Sequence, residues 1–299
     1  MDRLQAMEVF VAVVDHGGFA AAARRLDLSA PVVTRAVAEL EARLGVRLLT
    51  RTTRTVRVTE AGARYADDCR RILADVGESD AATSGSRTQI KGLLSVTAPA
   101  MFGNLHVTPI VADYLRRHAE VDAHCLFDDR VVNLVDEGLD VAVRIGELPD
   151  SSLQAIPVGH VRRVLVATPS YLAAQGRPAT PAQLAGHVLI QPTGVSPYPE
   201  WRFTHAGRPV VQRIRPRLRT TTNDAARTAA LTGLGIARLV SYQVADDLAS
   251  GSLQLLLPDY ETPAIPVHVL HREGRHVTQK VRAFVDLAVE MLRGNAALR

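Results

Sequence analysis

No stretch of the chain strings together the ~18 apolar residues that a membrane-spanning helix requires. The opening MDRLQAMEVF carries acidic residues and no charged-then-apolar signal pattern. A soluble cytoplasmic protein without a membrane partner is expected. Cysteine is nearly absent. Cys69 and Cys125 are too few for a disulfide scaffold or a four-ligand zinc cage, so both are read as buried small hydrophobes. Catalytic signatures are missing too. There is no G-x-x-x-x-G-K-S/T phosphate loop, Gly233-Leu234-Gly235 lacks the third glycine of a dinucleotide fingerprint, and Gly194-Val195-Ser196 lacks the closing glycine of a nucleophile elbow. The glycine pair is read as helix packing. His268, His271 and His276 have no thiol partners and are read as scattered solvated histidines rather than a zinc site. No enzyme, metal or cofactor is expected.

What is present is ordinary globular material, 47% hydrophobic and 22% charged, in 299 residues. That length exceeds what one core usually serves, so two or three domains are expected. The net charge of +4 becomes informative once it is located. RLGVRLLTRTTRTVR carries Arg43, Arg47, Arg51, Arg54 and Arg57 and no acidic residue, a local electropositive stripe.

The residues before the stripe explain it. Leu4, Met7, Phe10, Val11 and Val14 recur at helical spacing up to Gly17-Gly18. FAAAARRL is a short alanine-rich helix, whose small side chains allow close approach of another helix. Asp27-Leu28 turns the chain, Ser29 is placed to cap a new helix, and Pro31 sits in the first turn, where a missing amide proton costs little. Val33, Val37, Leu40 and Leu44 then make an apolar stripe that leaves Val32, Thr34 and Arg35 on other faces. Two helices joined by a short turn form a helix-turn-helix, whose second helix enters the DNA major groove. Thr34 and Arg35 are the expected base readers, because a guanidinium fork matches guanine O6 and N7 and a threonine can bond a base or press its methyl on thymine. Val46 to Thr50 and Thr55 to Val58 fit a two-stranded wing whose tip, Arg51, Thr52, Thr53 and Arg54, would hold phosphates or enter a minor groove.

On these residues the chain resembles LysR-type transcriptional regulators. The resemblance rests on the alanine-rich helix, the S-x-P-x-V-S/T-R segment at Ser29 to Arg35, and the R-T-T-R-x-V-x-L/V-T-x-A-G ending at Gly62. It continues through GLLSVTAPAMFG, GLDVAVRIGELPDSSL and AALTGLGIA, nearly the whole chain. It implies an α+β multidomain protein: a winged helix-turn-helix, a linker helix, and a two-lobed α/β effector domain like periplasmic solute-binding proteins. It also implies double-stranded DNA, a small-molecule effector and a second copy of the chain as partners, with a tetramer by analogy. Gly18, Ala20 and Ala30 depart from positions that are often polar in the family. The carried-over DNA contacts are therefore Ser29, Pro31, Thr34, Arg35, Arg51 and Arg54, with Thr52 and Thr53 of the wing.

The domains are set at 1–58 for DNA binding, 59–90 for linker helix and hinge, and 91–299 for the effector domain, with lobe 1 near 91–161 and 268–299 and lobe 2 near 162–267. From Thr59, a cap, to Gly77, a candidate break, the chain reads as one helix. Its stripe of Ala61, Tyr65, Cys69, Ile72 and Val76 either pairs with a second copy, as the resemblance favours, or packs on its own domain. SDAATSGSRTQIK is small and polar, a hinge.

Beyond Lys91, strands at Leu93 to Thr97, Val121 to Phe127 and Val141 to Ile145 alternate with helices at Leu105 to Arg117 and Val131 to Glu137, which indicates α/β with a mainly parallel sheet. A second set includes Val164 to Ala167, Val188 to Gln191, Arg217 to Thr221, the helix Asp224 to Leu231, and Ile236 to Val240. The strand Ile265 to His271 and the helix Val281 to Leu292 return to the first lobe. Ligands bind such sheets at the carboxyl ends of the strands. The expected neighbourhood is Thr97, Ala98, Pro99, Met101, Phe102, Asp128, Arg144, Gly146, Thr193, Thr222 and Asn223, where amide protons at a helix start favour an anionic effector. Asp224 is read as a helix cap and Trp201 as an anchor of the second lobe. The rival readings, an enzyme on α/β lobes or an architectural DNA binder without an effector, lack respectively a catalytic motif and a task for the second half.

Overall fold

The computed structural model describes residues 1–51, 56–83, 90–130, 134, 137–148, 153–193, 200–272 and 278–299. These form two compact units, 1–93 with 120–122, and 94–119 with 123–299.

The first unit opens with α1 (Arg3–Asp15), α2 (Phe19–Arg25) and α3 (Ala30–Leu44). Asp27, in the left-handed region at φ 54°, makes the turn between the last two. α1 buries Met7, Val9, Phe10 and Val13, whereas Leu4, expected on the same stripe, is 40% exposed. The buried face is offset because Ala6, Val9 and Ala12 join it. Val33, Ala36, Val37 and Leu40 seat α3 against α1 and α2, each of the larger side chains stabilising by ~1.5–3 kcal/mol. A hairpin follows, β1 (Leu49–Arg51) and β2 (Val56–Val58), antiparallel with Leu49 opposite Val58 and Arg51 opposite Val56.

α4 (Glu60–Thr83) runs straight through Gly77, so that glycine does not break the helix, and the helix also takes in the start of the expected hinge. The Thr59 hydroxyl caps it, accepting from the Gly62 amide at 2.9 Å. Cys69 is fully buried, with Tyr65, Ile72 and Leu73 packed on the same core, and the Tyr65 and Phe10 rings lie 5.9 Å apart. The lower part of the α4 stripe therefore packs on its own domain. Burial pushes the Cys69 thiol up to about 11, so it remains an inert thiol. Cys125, by contrast, is exposed, because it lies on an edge strand.

The second unit carries two five-stranded sheets. The first contains β3 (Gly92–Ala98), β4 (Val121–Phe127), β5 (Val141–Ile145) and β6 (Leu153–Val161). Between β3 and β4 the chain coils as α5 (Ala100–Phe102), a π turn (Gly103–Val107) and α6 (Thr108–Arg117), so helix begins before the expected Leu105. The expected helix Val131 to Glu137 falls mostly outside the described residues. Of it, Leu134 is buried and Glu137 lies in a turn.

The second sheet is built from β7 (Arg163–Ala167), β8 (Leu189–Pro192), β11 (Leu218–Thr220), β12 (Ile236–Val240) and β13 (Gln254–Leu256), with α7 (Pro169–Gln175), α8 (Asn223–Leu231) and α9 (Ala245–Ala249) between them. A separate hairpin of β9 (Glu200–His205) and β10 (Arg208–Arg213) precedes β11. The chain then returns through β14 (Ile265–Arg272) to the first sheet, ordered β4-β3-β5-β14-β6, and ends in α10 (Gln279–Gly294).

Each sheet is mainly parallel but mixed through one reversed strand, β14 in the first and β7 in the second. β3 and β5 run parallel, but β14 is antiparallel to β5 and β6; β8 is parallel to β11 and β12, but β7 is antiparallel to β12 and β13. The antiparallel strands are those next to the two crossings between the sheets. Gly235 packs where a Cβ would meet the Val188 carbonyl oxygen at 2.2 Å, and Gly233 turns at φ 76°, so close approach to the segment before β8 and a left-handed turn, not helix packing, account for the glycine pair. His271 is buried, with Nδ1 2.8 Å from the Arg272 carbonyl, and His268 is partly buried, so neither is a solvated histidine; His276 lies outside the described residues.

Two glycines of α4 separate packing from propensity. A Cβ at Gly62 would lie 2.0 Å from the Leu48 carbonyl oxygen, whereas one at Gly77 meets nothing within 4 Å. Gly62→Ala is expected to destabilise the first unit by about 1–3 kcal/mol, and Gly77→Ala to stabilise it by about 0.5–1 kcal/mol. Urea unfolding of the two variants checks both signs.

Candidate functional site

Because α3 buries one stripe, its opposite face is left open at the N-terminal end. The Arg35 side chain is 83% exposed and Thr34 half-buried. Arg35 Nε donates to Glu39 one turn on, at 2.8 Å, and that bond holds the Glu39 carboxyl below its ordinary range. The guanidinium is thus laid along its own helix.

Ser29 occupies the cap position in extended conformation, yet its hydroxyl makes no capping bond. Pro31 removes one amide that the hydroxyl would serve, and the Ser29 carbonyl already accepts from Val32 at 3.0 Å and Val33 at 3.2 Å. Both Ser29 and Pro31 are exposed.

Arg51 is the last residue of β1 rather than part of the wing tip, while Thr52, Thr53 and Arg54 lie outside the described residues. The base of the wing is held from two sides. Glu41 of α3 accepts from the Leu48 and Leu49 amides at 2.8 and 3.0 Å, and Thr59 donates to the Arg47 carbonyl at 2.9 Å. Glu41 escaped the sequence reading, although it is the acidic residue just ahead of the arginine stripe.

In the second unit the expected cleft residues gather at the carboxyl ends of β3, β5, β8 and β11, where several are already engaged. Thr97 and Ala98 are fully buried; the Thr97 hydroxyl finds no partner among the described residues, and the Ala98 carbonyl accepts from the Asp128 amide at 3.0 Å. Pro99 leads into α5, and Met101 and Phe102 are buried, with the Phe102 ring 4.8 Å from His106 and 5.1 Å from Tyr242.

The Ala100 amide, expected to face an anionic guest, is bonded by Asp129 at 3.0 Å, whose other oxygen accepts from Asn223 Nδ2 at 3.2 Å. The protein's own carboxylate fills that position and ties the two lobes. Asp128 accepts from its neighbour Arg130, backbone at 3.1 Å and Nε at 2.8 Å, which keeps its carboxyl below the ordinary range. Arg144 is 9% exposed, bonds the Val143 carbonyl at 3.4 Å and leaves one amino group without a partner among the described residues. Burial lowers its pKa.

Gly146 donates its amide to the Pro266 carbonyl at 3.0 Å. Thr193 gives both amide and hydroxyl to the Thr220 carbonyl, at 2.7 and 3.0 Å. Thr222, not Asp224, caps α8, accepting from Ala225 at 3.4 Å. Asp224 is exposed and lies two positions past the cap, inside the first turn.

Beside these strand ends lies a cavity of about 440 Å³ not expected from the sequence, lined among others by Arg163, Gln191, Trp201, Asn223, Arg238 and Thr262. Trp201 is 4% exposed, so it anchors the lobe's core as expected and also walls the cavity. A signal was available: Arg238 is the one charge in the apolar strand IARLV, as Arg144 is in VAVRI.

The helix-turn-helix with its anchored wing, followed by two lobed sheets, is matched by known families. Residues 4–63 match the profile of bacterial regulatory helix-turn-helix proteins of the lysR family, and residues 87–293 match the LysR substrate binding domain. The chain belongs to the LysR family of transcriptional regulators. It is 35% identical to the transcriptional regulator PtxR of Pseudomonas aeruginosa over 97% of this chain and 93% of that protein. It is 33% identical to the regulator CrgA of Neisseria meningitidis serogroup B over 97% of each. The solved CrgA structure covers 99% of this chain and is itself covered completely, with TM-score 0.63 and 31% identity. The full-length Vibrio cholerae virulence activator AphB covers 97% of this chain, is itself covered over 99%, and has TM-score 0.62 and 26% identity. As a LysR-type regulator the protein binds DNA through its helix-turn-helix, binds a small-molecule effector through its second half, and oligomerises.

The Asp129 tie between lobes is testable. Asp129→Ala removes the partner of the Ala100 amide and of Asn223 together, and hydrogen exchange at Ala100 is expected to speed up by roughly tenfold. Unchanged protection there would show that the carboxylate does not hold the helix start.

Proposed function

We propose that this regulator reads its operator with Thr34 and Arg35 in the major groove, while Ser29 and Pro31 at the helix start and Arg51, Thr52, Thr53 and Arg54 of the wing grip phosphates or the neighbouring minor groove. The observation that carries the reading is the seating of α3. With Val33, Ala36, Val37 and Leu40 sealed in the core, the face bearing Arg35 is left open to solvent among the described residues. On a duplex, Arg35 exchanges or shares its bond to Glu39 for a guanine edge, and Glu39 orients the fork.

In this reading 1–58 is the DNA-binding domain, 59–90 links and dimerises it, and 91–299 senses the effector. The part of α4 beyond the contact with α1 pairs with a second copy, and two dimers form a tetramer, so that paired half-sites are engaged on a two-fold axis. The protein works in the cytoplasm. The effector is anionic and lies in the cleft between the lobes, near Thr97, Ala98, Pro99, Met101, Phe102, Asp128, Arg144, Gly146, Thr193, Thr222 and Asn223. Thr97 and Arg144 support this with buried polar atoms that lack partners among the described residues. An effector moves the wings only by binding one arrangement of the lobes more tightly than another.

Arg35→Ala is expected to cost about 1–3 kcal/mol of operator binding and to relax base preference, whereas Arg51→Ala weakens all sequences alike and flattens the salt dependence by about one charge. Fluorescence anisotropy on operator and scrambled duplexes over a salt series separates the two. An Arg35 variant with unaltered base preference would remove it from the readers.

A further inference from the structure

Strand alternation explains how the lobe 2 cavity is built. Leu165 of β7, Leu189 of β8 and Ile236 of β12 share the apolar face covered by the β9–β10 hairpin through Trp201 and Phe203. Two residues along each strand, toward the crossings between lobes, the same face turns polar at Arg163, Gln191 and Arg238. The cavity sits at this transition, with the indole of Trp201 as an apolar wall and guanidinium groups beside it.

These two cations stand diagonally on one face of β7 and β12, and neither is ion-paired among the described residues. Arg238 lies 5.1 Å over the Phe203 ring and donates to the Arg202 carbonyl, contacts that fix its fork without neutralising it. Burial and the charge of Arg163 hold the Arg238 pKa down to about 10. Arg163 stays accessible, and loss of hydration lowers its pKa as well. Glu200, which also lines the cavity, is paired instead with Arg202 at 3.2 Å. Uncompensated, partly desolvated charge of one sign is costly unless something of the other sign arrives.

We propose that this lobe 2 pocket is the seat of the effector's acidic group, and that it takes a planar organic acid whose carboxylate lies between Arg163 and Arg238 and whose flat body rests on Trp201. The assignment rests on the reading of the chain as an effector-controlled regulator and places the anion here rather than at the Ala100 amide, which Asp129 already occupies. Guanidinium forks match a carboxylate bidentately, an indole face suits an unsaturated ring, and about 440 Å³ lies within the range of small-ligand pockets.

Trp201 is the only tryptophan in the chain, so its fluorescence reports on this pocket alone. The full-length protein is titrated with benzoate, trans-cinnamate and 2-naphthoate, with the matching amides, and with inorganic phosphate. Saturable quenching by at least one acid is expected, with the amide and phosphate weaker by about tenfold or more, and with a similar loss in Arg163→Gln, an accessible position at a strand start. Arg238→Gln is expected to behave likewise where it folds. Silence from all three acids, equal quenching by amide or phosphate, or wild-type affinity in Arg163→Gln overturns the proposal. Duplex affinity measured on the same samples separates the two readings. Duplex binding without acid binding removes this pocket and leaves the regulator, whereas acid binding by a chain that ignores duplexes removes the regulator and leaves the pocket.

Discussion

The burial of one stripe of α3 is the constraint on which the first unit depends. Val33, Ala36, Val37 and Leu40 fix the rotation of that helix, and with it the direction in which Thr34 and Arg35 are offered. The wing inherits its position from the same helix, since Glu41 carries the amides that open β1 and Thr59 ties the return strand to the start of α4. A surface for duplex DNA thus arises from core packing and the short polar ties of Glu41 and Thr59, with the Arg35 guanidinium left outside the core.

The second unit follows a related logic at its strand ends. Sheet faces that are apolar in their middle become polar toward the edge where the lobes meet, as at Arg144 in the first sheet and at Gln191 and Arg238 in the second. Some of this polarity is spent internally. Asp129 bonds the Ala100 amide and Asn223, and the Phe102, His106 and Tyr242 rings pack between lobes. Among the described residues, what is left without an ion-pair partner at these strand ends is positive, at Arg144 and Arg238.

The helices and most strands were legible because periodicity is local. α2, α3, α8 and β12 fall within a residue or two of where spacing places them. Other features depend on partners that local pattern does not name. Ser29 looks like a cap, but Pro31 and the serine's own carbonyl leave its hydroxyl nothing to bond. Strand direction is absent from alternation, so the antiparallel pairing of β7 and β14 was hidden, and the exposed Cys125 followed from β4 being an edge. The candidate cleft was legible only as strand ends. Its arginine pocket joins residues 163, 191, 201 and 238, from four different elements, which no window along the chain can bring together.

Entry of α3 into the major groove is checked by methylation interference on the bound operator. Dimethyl sulfate marks guanine N7 in the major groove and adenine N3 in the minor groove. Methylation of guanine N7 within each half-site is expected to abolish binding. Binding that tolerates every N7 methyl group and is lost only on adenine N3 methylation would contradict it.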